Sequence, residues 1–561
     1  MPTHDRPWRR PGAFAYARRR VRAMLRPPVT VSPAPADLIA DHDVGVTMHD
    51  GVVLRLNVYR PAGEGPFPVI LSACPYGKDE LPRKTRFGWS LNPQYRIMNQ
   101  SEPLRISDQT SWEAPDPVWW VSQGYVVINA DTRGGGHSGG TGDLFSDQEA
   151  RDIEALIAWA AAQPWSNGNV GMLGVSYLAI SQYKVAALNP PALKAICPWE
   201  GFTDAYRDFF TSGGIVEDGF ARIWLFMTRR VARIRDDIAK ERRKHPLDDG
   251  WWDALMPDLS RITVPMLVCT SFSDNNLHST GSMRAFQEAG SSDRFAYAHR
   301  GPKWATFYGE DAKRAQLAFF DRYLRGRDVL KPPSMRLEIR DTRDHVVAVR
   351  EETAWPLERT RWQQLYLAGD GRLSGQTPTS DGTVTFDLRR DAAVFRHDFR
   401  EDTELSGPMT LRLWVSATGT DDPSLFVGVE KWSGPTYVPF EGSYGYGRDR
   451  VASGRLRAAL REIDPARSRP HQPEHTFRTQ QPLGSGEVVE VVIPLTSSAT
   501  LFRAGESLRV LVAGRYLEPR NPVFGHFPTH YVPSPKGQVT IHWSSERPSS
   551  LEIPVIPAVL P

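Results

Sequence analysis

Asn169-Val170-Gly171-Met172-Leu173-Gly174-Val175-Ser176-Tyr177-Leu178-Ala179 is the stretch on which the fold turns. Val170 to Leu173 read as a short, fully apolar strand. Gly174, Val175 and Ser176 make a turn. Tyr177 to Leu188 read as a helix, stopped by Asn189-Pro190-Pro191 because proline cannot continue one. A hydroxyl on so sharp a strand-to-helix turn is exposed, and the helix N-terminus beside it favours negative charge. Gly174 and Ser176 fit the pattern G-x-S-x-G, but Leu178 stands where the second glycine belongs, and the small Ala179 comes one place later. An ordinary strand-to-helix turn fits the same residues, so the flanking chain has to decide.

Working outward, short apolar strands alternate with amphipathic helices. Asp41 to Tyr59 is a hairpin with Asp50-Gly51 at its turn. Pro68 to Leu71 is a buried strand running into Cys74-Pro75-Tyr76-Gly77-Lys78, and a polar insertion to about Asp116 lies over one end of the sheet. Tyr125 to Ala130 is a strand. The glycine-rich Asp131-to-Gly140 loop lacks the phosphate-loop pattern and reads as packed beside the site. Ser146-Asp147-Gln148-Glu149 is a capping box opening a helix that ends before Pro164. After the turn, Leu193–Pro198, Pro265–Cys269 and Phe295–Ala298 are strands, and Lys313–Leu324 a last helix. This order predicts a mostly parallel sheet covered on both sides.

Asp204 to Leu259 reads helical, an insertion able to roof the site, with 229–244 a charged, solvated helix face. Beyond Pro332 alternating strand patterns dominate, from Met335–Ile339 to Gln538–Trp543, and predict a β-sandwich of jelly-roll type. The expected division is a basic tail 1–38, a first α/β part 39–202, a helical cap 203–260, a second α/β part 261–332 and a β domain 333–561. The 561 residues suit two or three domains. A net charge of +3 points to no nucleic-acid partner, and three cysteines without ligand spacing fit a reducing, cytoplasmic compartment rather than disulfides or zinc. No apolar run is long enough for a membrane span. The tail holds Arg18-Arg19-Arg20 and Arg22 and reads as a frayed basic segment, with a surface anchor or transit segment as the other reading.

In an α/β-hydrolase the nucleophile, the acid and the histidine follow strand ends in that chain order. Ser176, Asp274 and His299 end three strands at one edge of the expected sheet, where such sheets bind ligands. Serine needs a base to take its proton, and the imidazole needs a carboxylate to orient it. The plainer alternatives are a helix cap for Asp274 and a loop histidine for His299. His278, close behind Asp274, is the rival base. His137 precedes the serine, the wrong order for this fold.

Further pieces resemble the family of cocaine esterase and Xaa-Pro dipeptidyl-peptidase: Met48-His49-Asp50-Gly51-Val52 with Tyr59-Arg60-Pro61; Pro75 to Lys78; Asp131-Thr132-Arg133-Gly134 with Ser138 and Gly140; Gly174 to Leu178; Ser273-Asp274; Gly454-Arg455-Leu456-Arg457 with Arg461-Glu462; and Phe502-Arg503-Ala504-Gly505. The resemblance implies a serine hydrolase with an inserted cap and a C-terminal jelly roll resembling a galactose-binding module. It also implies an oxyanion hole from the Tyr177 N–H and the Tyr76 hydroxyl. The family's histidine falls in G-P-W-x-H. Here His299 precedes Gly301-Pro302-Lys303-Trp304, and no histidine follows locally. The expected chemistry is ester or amide cleavage through an acyl-enzyme: Ser176 attacks, His299 acts as base, Asp274 orients it, and no cofactor or metal takes part. The expected substrate is a small ester, an amide or a short peptide, and the chain leaves room for a homodimer. The other function class is a non-catalytic carbohydrate- or partner-binding protein that uses the jelly roll.

Overall fold

The structure, a computed structural model, describes every residue except 1–11, 64, 87, 98–102, 236, 275–276, 443–448, 519–520, 522, 524–525, 527 and 558–561. The first eleven residues of the expected tail therefore lie outside the described residues. From Ala13 to Leu25 the segment is a helix, α1, rather than frayed chain. Its Tyr16 and Arg20 are buried while Phe14 and Leu25 face outward.

Eight strands build the central sheet: β1 (Ile39–Thr47), β2 (Val53–Arg60), β3 (Phe67–Cys74), β4 (Val126–Asp131), β5 (Ser166–Val175), β6 (Leu193–Trp199), β7 (Met266–Ser271) and β8 (Arg294–His299). Their spatial order is β1-β2-β4-β3-β5-β6-β7-β8, with β1 and β2 antiparallel and β3 to β8 parallel. The inner strands are buried on both faces, which is why they read as continuous apolar runs. Helices α2 (Asp147–Ala161) and α3 (Tyr177–Ala186) pack on the sheet. Ser146 caps α2 by accepting from the Glu149 N–H at 3.1 Å. The expected capping box is only half formed, because the Glu149 carboxylate leaves the cap to bind the Tyr177 hydroxyl.

The roof differs from the helical insertion read from sequence. A six-residue π-turn at Ala205–Phe210 precedes α4 (Phe220–Arg229), whose first N–H groups, on Phe220 and Ala221, donate to the buried Glu217 carboxylate. Beyond Arg229, which ends α4, only Ile238–Glu241 is helical among the described residues up to 244. The rest is extended at Ala232 and Ile234, where it bridges the glycine-rich loop at Gly135 and Gly142. Those contacts leave no room for side chains. A Cβ on Gly134 would lie 2.4 Å from the Arg233 carbonyl oxygen.

After β8, α5 being Ser279–Glu288 before it, the chain continues through α6 (Lys303–Phe307) and α7 (Glu310–Arg325) to β9 (Met335–Thr342). Strand β9 pairs in parallel with β8, so the first strand of the expected β domain also extends the hydrolase sheet. Most of the strands that follow form two antiparallel layers. Thr403–Thr418 pairs with Val489–Phe502, Gln538–Trp543 and Ser550–Ile556 in one. Ser424–Ser433 pairs with Ala452–Arg457 and Glu506–Ala513 in the other. Their inward residues, among them Leu411, Leu413, Val427 and Val512, share one apolar core. The buried Arg300 guanidinium ties this half to the end of β8 through the carbonyl of Val451 at 3.1 Å and the Ser498 hydroxyl at 3.0 Å.

Candidate active site

Ser176 sits between β5 and α3 with φ 57° and ψ −115°. Such a backbone is strained for a non-glycine residue and holds its side chain out of the turn. The turn is tight enough that a Cβ on Gly174 would lie 2.4 Å from the Cβ of Leu178. Leu178 therefore occupies the second-glycine position by packing over Gly174. Ala179 takes on the close approach instead: a Cβ on Gly201 would come within 2.9 Å of its methyl group.

The Ser176 hydroxyl lies 3.2 Å from Nε2 of His278. Nδ1 of that ring lies 2.5 Å from Oδ2 of Asp274. Both residues are buried to within 1%. His278 caps α5 at its N-terminus, one helical turn beyond Asp274, so the acid and the base come from one short segment after β7. Burial first, and then the Lys303 ammonium, lower the pKa of His278 against the raising effect of Asp274. For Asp274 burial acts upward, but Lys303 and His278 outweigh it and hold the carboxyl well below its usual range.

His299, expected as the base, is not in that position. Its Nδ1 accepts the Gly301 N–H at 3.1 Å, and its Nε2 lies 3.2 Å from Glu200. With Nδ1 accepting, a neutral ring carries its proton on Nε2, facing a carboxylate, and has no lone pair left for a serine. Strand order pointed to β8, yet this ring packs against Trp199 and Tyr297 away from the serine. Among the described residues that line the site cavity, His278 appears and His299 does not.

Tyr76 and Tyr177 flank the serine, their rings 5.9 Å apart. The Tyr76 oxygen accepts the Trp224 indole N–H, from α4 of the roof, at 2.9 Å. That leaves the Tyr76 hydroxyl proton free to point elsewhere. The loop carrying Tyr76 is held by Asp131, which accepts the N–H groups of Lys78 and His137 at 2.6 and 3.0 Å. The Tyr177 N–H belongs to the first turn of α3, where helix N–H groups have no intrahelical acceptor. Its ring hydroxyl donates to Glu149 at 2.7 Å.

A cavity of about 310 Å³ opens onto Ser176, His278 and Tyr76. Phe145, Phe202, Phe209, Trp224 and Leu277 give it an apolar wall. Glu113 lines it too, with φ 65°, and burial pushes its carboxyl up to about 8. Burial likewise raises Glu149 to about 7. Neither acid was legible in sequence, since nothing local distinguishes them from surface glutamates. Glu200, Cys269 and His299 bring three ligand-type atoms within 4.8 Å of one another. The Lys303 ammonium already lies 3.5 Å from Glu200, so an entering cation would meet a fixed positive charge.

A CocE/NonD family hydrolase of Staphylococcus aureus, of known structure, is 35% identical to the chain, with a TM-score of 0.87 over 93% of this chain and 94% of that one. The chain belongs to the CocE/NonD hydrolase family. Residues 50–302 match the S15 family of X-Pro dipeptidyl-peptidases, and residues 328–552 match the C-terminal non-catalytic domain of X-Pro dipeptidyl-peptidase. The cocaine esterase of Rhodococcus sp. (strain MB1 Bresler) is 26% identical over 621 positions, covering 92% of this chain and 98% of its own. An α-amino acid ester hydrolase shares the fold at 19% identity, with a TM-score of 0.70 over 94% of this chain and 98% of that one. The molecule is thus an α/β-hydrolase with a C-terminal non-catalytic domain, and a serine hydrolase of the cocaine esterase and X-Pro dipeptidyl-peptidase type.

Proposed function

We propose that Ser176, His278 and Asp274 are the catalytic triad of this hydrolase. The observation that carries the reading is the continuous path from the Ser176 hydroxyl through both nitrogens of His278 to the buried Asp274 carboxylate. Ser176 attacks the carbonyl carbon of an ester or amide as its proton moves to His278 Nε2. The Tyr177 N–H and the Tyr76 hydroxyl receive the developing oxyanion, where Trp224 leaves the Tyr76 proton available. His278 then gives its proton to the leaving oxygen or nitrogen. Water attacks the acyl-enzyme by the reverse path, and Ser176 is released.

The aromatic wall and the cavity size suit an uncharged ester whose acyl or alcohol part is apolar and no larger than a small drug. That favours a carboxylesterase over a dipeptidyl-peptidase. We further read the two antiparallel layers as a jelly roll, and the buried thiols of Cys74, Cys197 and Cys269 as suited to the cytoplasm. The non-catalytic alternative gains nothing from a strained serine beside an oriented imidazole.

A fluorophosphonate probe should label the wild-type protein and leave Ser176→Ala unlabelled, with both proteins melting at similar temperatures. Equal labelling of the two would sink the assignment. Turnover of p-nitrophenyl esters against Xaa-Pro nitroanilides then separates the substrate classes, with faster turnover expected on the esters.

A further inference from the structure

Lys303 stands where the family pattern continues toward its histidine, and its side chain turns back under the triad instead. The side chain is buried to within 1%. Its ammonium lies 2.7 Å from Oδ2 of Asp274, 2.9 Å from Nδ1 of His278 and 3.5 Å from Oε2 of Glu200. A buried ammonium is costly unless it is paired, and two carboxylates from two strand ends pair this one.

We propose that Lys303 is the positioning residue of the triad: bridged between Asp274 and Glu200, its ammonium fixes the Asp274 carboxylate against His278 and opposes the positive charge that His278 acquires when it takes the serine proton. The proposal rests on the triad reading above. In a triad with a lone aspartate, the carboxylate alone faces the imidazole. Here the Lys303 ammonium opposes Asp274 at His278, and Glu200 acts in the same direction as Asp274 from farther off. A base so placed is weaker but stays neutral to lower pH, and as an imidazolium it is the stronger acid toward the leaving group.

The groups facing His278 are few. Asp274 comes from its own segment, Lys303 from α6, Glu200 from the end of β6 and Ser176 from the turn before α3. Glu113 acts on Lys303 from the insertion before β4, and at about 8 it is largely protonated at neutral pH. Tyr531, from the β-rich half, is within electrostatic reach of Asp274 and stays protonated. His299 faces Glu200 rather than His278. The N-terminus of α5 adds a further positive field at His278. Lys303 and Glu200 are therefore the two fixed charges whose removal should move the base in opposite directions.

The test is the pH dependence of fluorophosphonate labelling at Ser176, and of kcat/KM on a p-nitrophenyl ester, in the full chain. The wild-type acid limb should lie below the ordinary histidine value of about 6.5. Lys303→Met relieves the repulsion, so the limb should move up by about one pH unit. Glu200→Gln leaves the ammonium less compensated, so its limb should move down. Lys303→Arg keeps the charge and should bring the limb back toward wild type. Limbs that stay put, or that move the same way in Lys303→Met and Glu200→Gln, overturn the proposal. Should Lys303→Met fail to fold, Glu200→Gln decides alone: a lowered limb supports the role and an unmoved one overturns it. If wild type is not labelled at Ser176, the triad reading itself fails; labelling with unmoved limbs sinks only the role of Lys303.

Discussion

The ends of β7 and β8 each present a histidine that is buried to within 1% and faces a buried carboxylate. One pair is Asp274 with His278, the other Glu200 with His299. What separates them is which nitrogen meets which partner. In His278 the carboxylate takes Nδ1, and Nε2 is left to meet the serine. In His299 a backbone N–H takes Nδ1, and Nε2 is turned toward the carboxylate. A histidine becomes a base through its tautomer and its aim, and burial beside an acid supplies neither by itself. In this chain the ring that meets the serine follows β7 rather than ending β8, and the Lys303 ammonium lies against it.

Exchanging the two rings for alanine is the widest test of that contrast. His278→Ala should lower kcat by about 10⁴-fold or more, since Ser176 loses its base. His299→Ala should lower the Ser176 labelling rate by less than about tenfold. Its effect should appear as stability, with unfolding about 1–3 kcal/mol easier because Glu200 loses a buried neighbour. Labelling kinetics and denaturant melts on both variants measure the two effects. A dead His299→Ala that still melts like wild type would reverse the assignment.

The mostly parallel sheet was legible because β3 to β8 are largely buried on both faces and so carry apolar runs. Ser176, the proposed nucleophile, stood out in the sequence because few residues fit the turn between β5 and α3. The proposed base was half legible. Asp274 and His278 are spaced by one helical turn, and no histidine follows Trp304. Against both signals stood strand order, which describes where a backbone ends and says nothing of where a ring points. That Lys303, Glu200, Glu113 and Glu149 belong to the site was not legible. Each lies on a separate element, and only tertiary packing removes them from water and gives them to the site. The roof was misread for a related reason. Charged residues between 229 and 244 suggested a solvated helix, but the segment is tied down as extended chain by backbone bonds to glycines far away in sequence.

The two places also differ in what approaches them. Over the serine, the roof delivers Trp224 to Tyr76, whereas His299 lies against Trp199 and Tyr297. Tyr76→Phe keeps the ring and deletes only the proton aimed at the oxyanion. It should lower kcat by about a hundredfold to a thousandfold, with KM nearly unchanged because the ground-state carbonyl gains less from the donor. If kcat stays within a factor of a few, Tyr76 is packing and the second donor lies elsewhere.

Trp224→Phe should have the smallest effect, and it sharpens the comparison most. The indole is not expected to touch the oxyanion. It occupies one lone pair of the Tyr76 oxygen, which limits how the hydroxyl can rotate and polarises its O–H bond. Chains of hydrogen bonds strengthen each member by about 10–30%, so losing the indole should lower kcat by about tenfold at most. KM will shift as well, because the ring lines the cavity, and a single variant therefore cannot separate the two roles. The double variant can. If Trp224 acts through Tyr76, adding Trp224→Phe to Tyr76→Phe should leave kcat where Tyr76→Phe put it, since the group being tuned is already gone. The KM change should persist, because the lost wall is the same in either background. Independent, multiplying losses in kcat would mean that the indole shapes the cavity alone, and the link from the roof to the oxyanion would be cut.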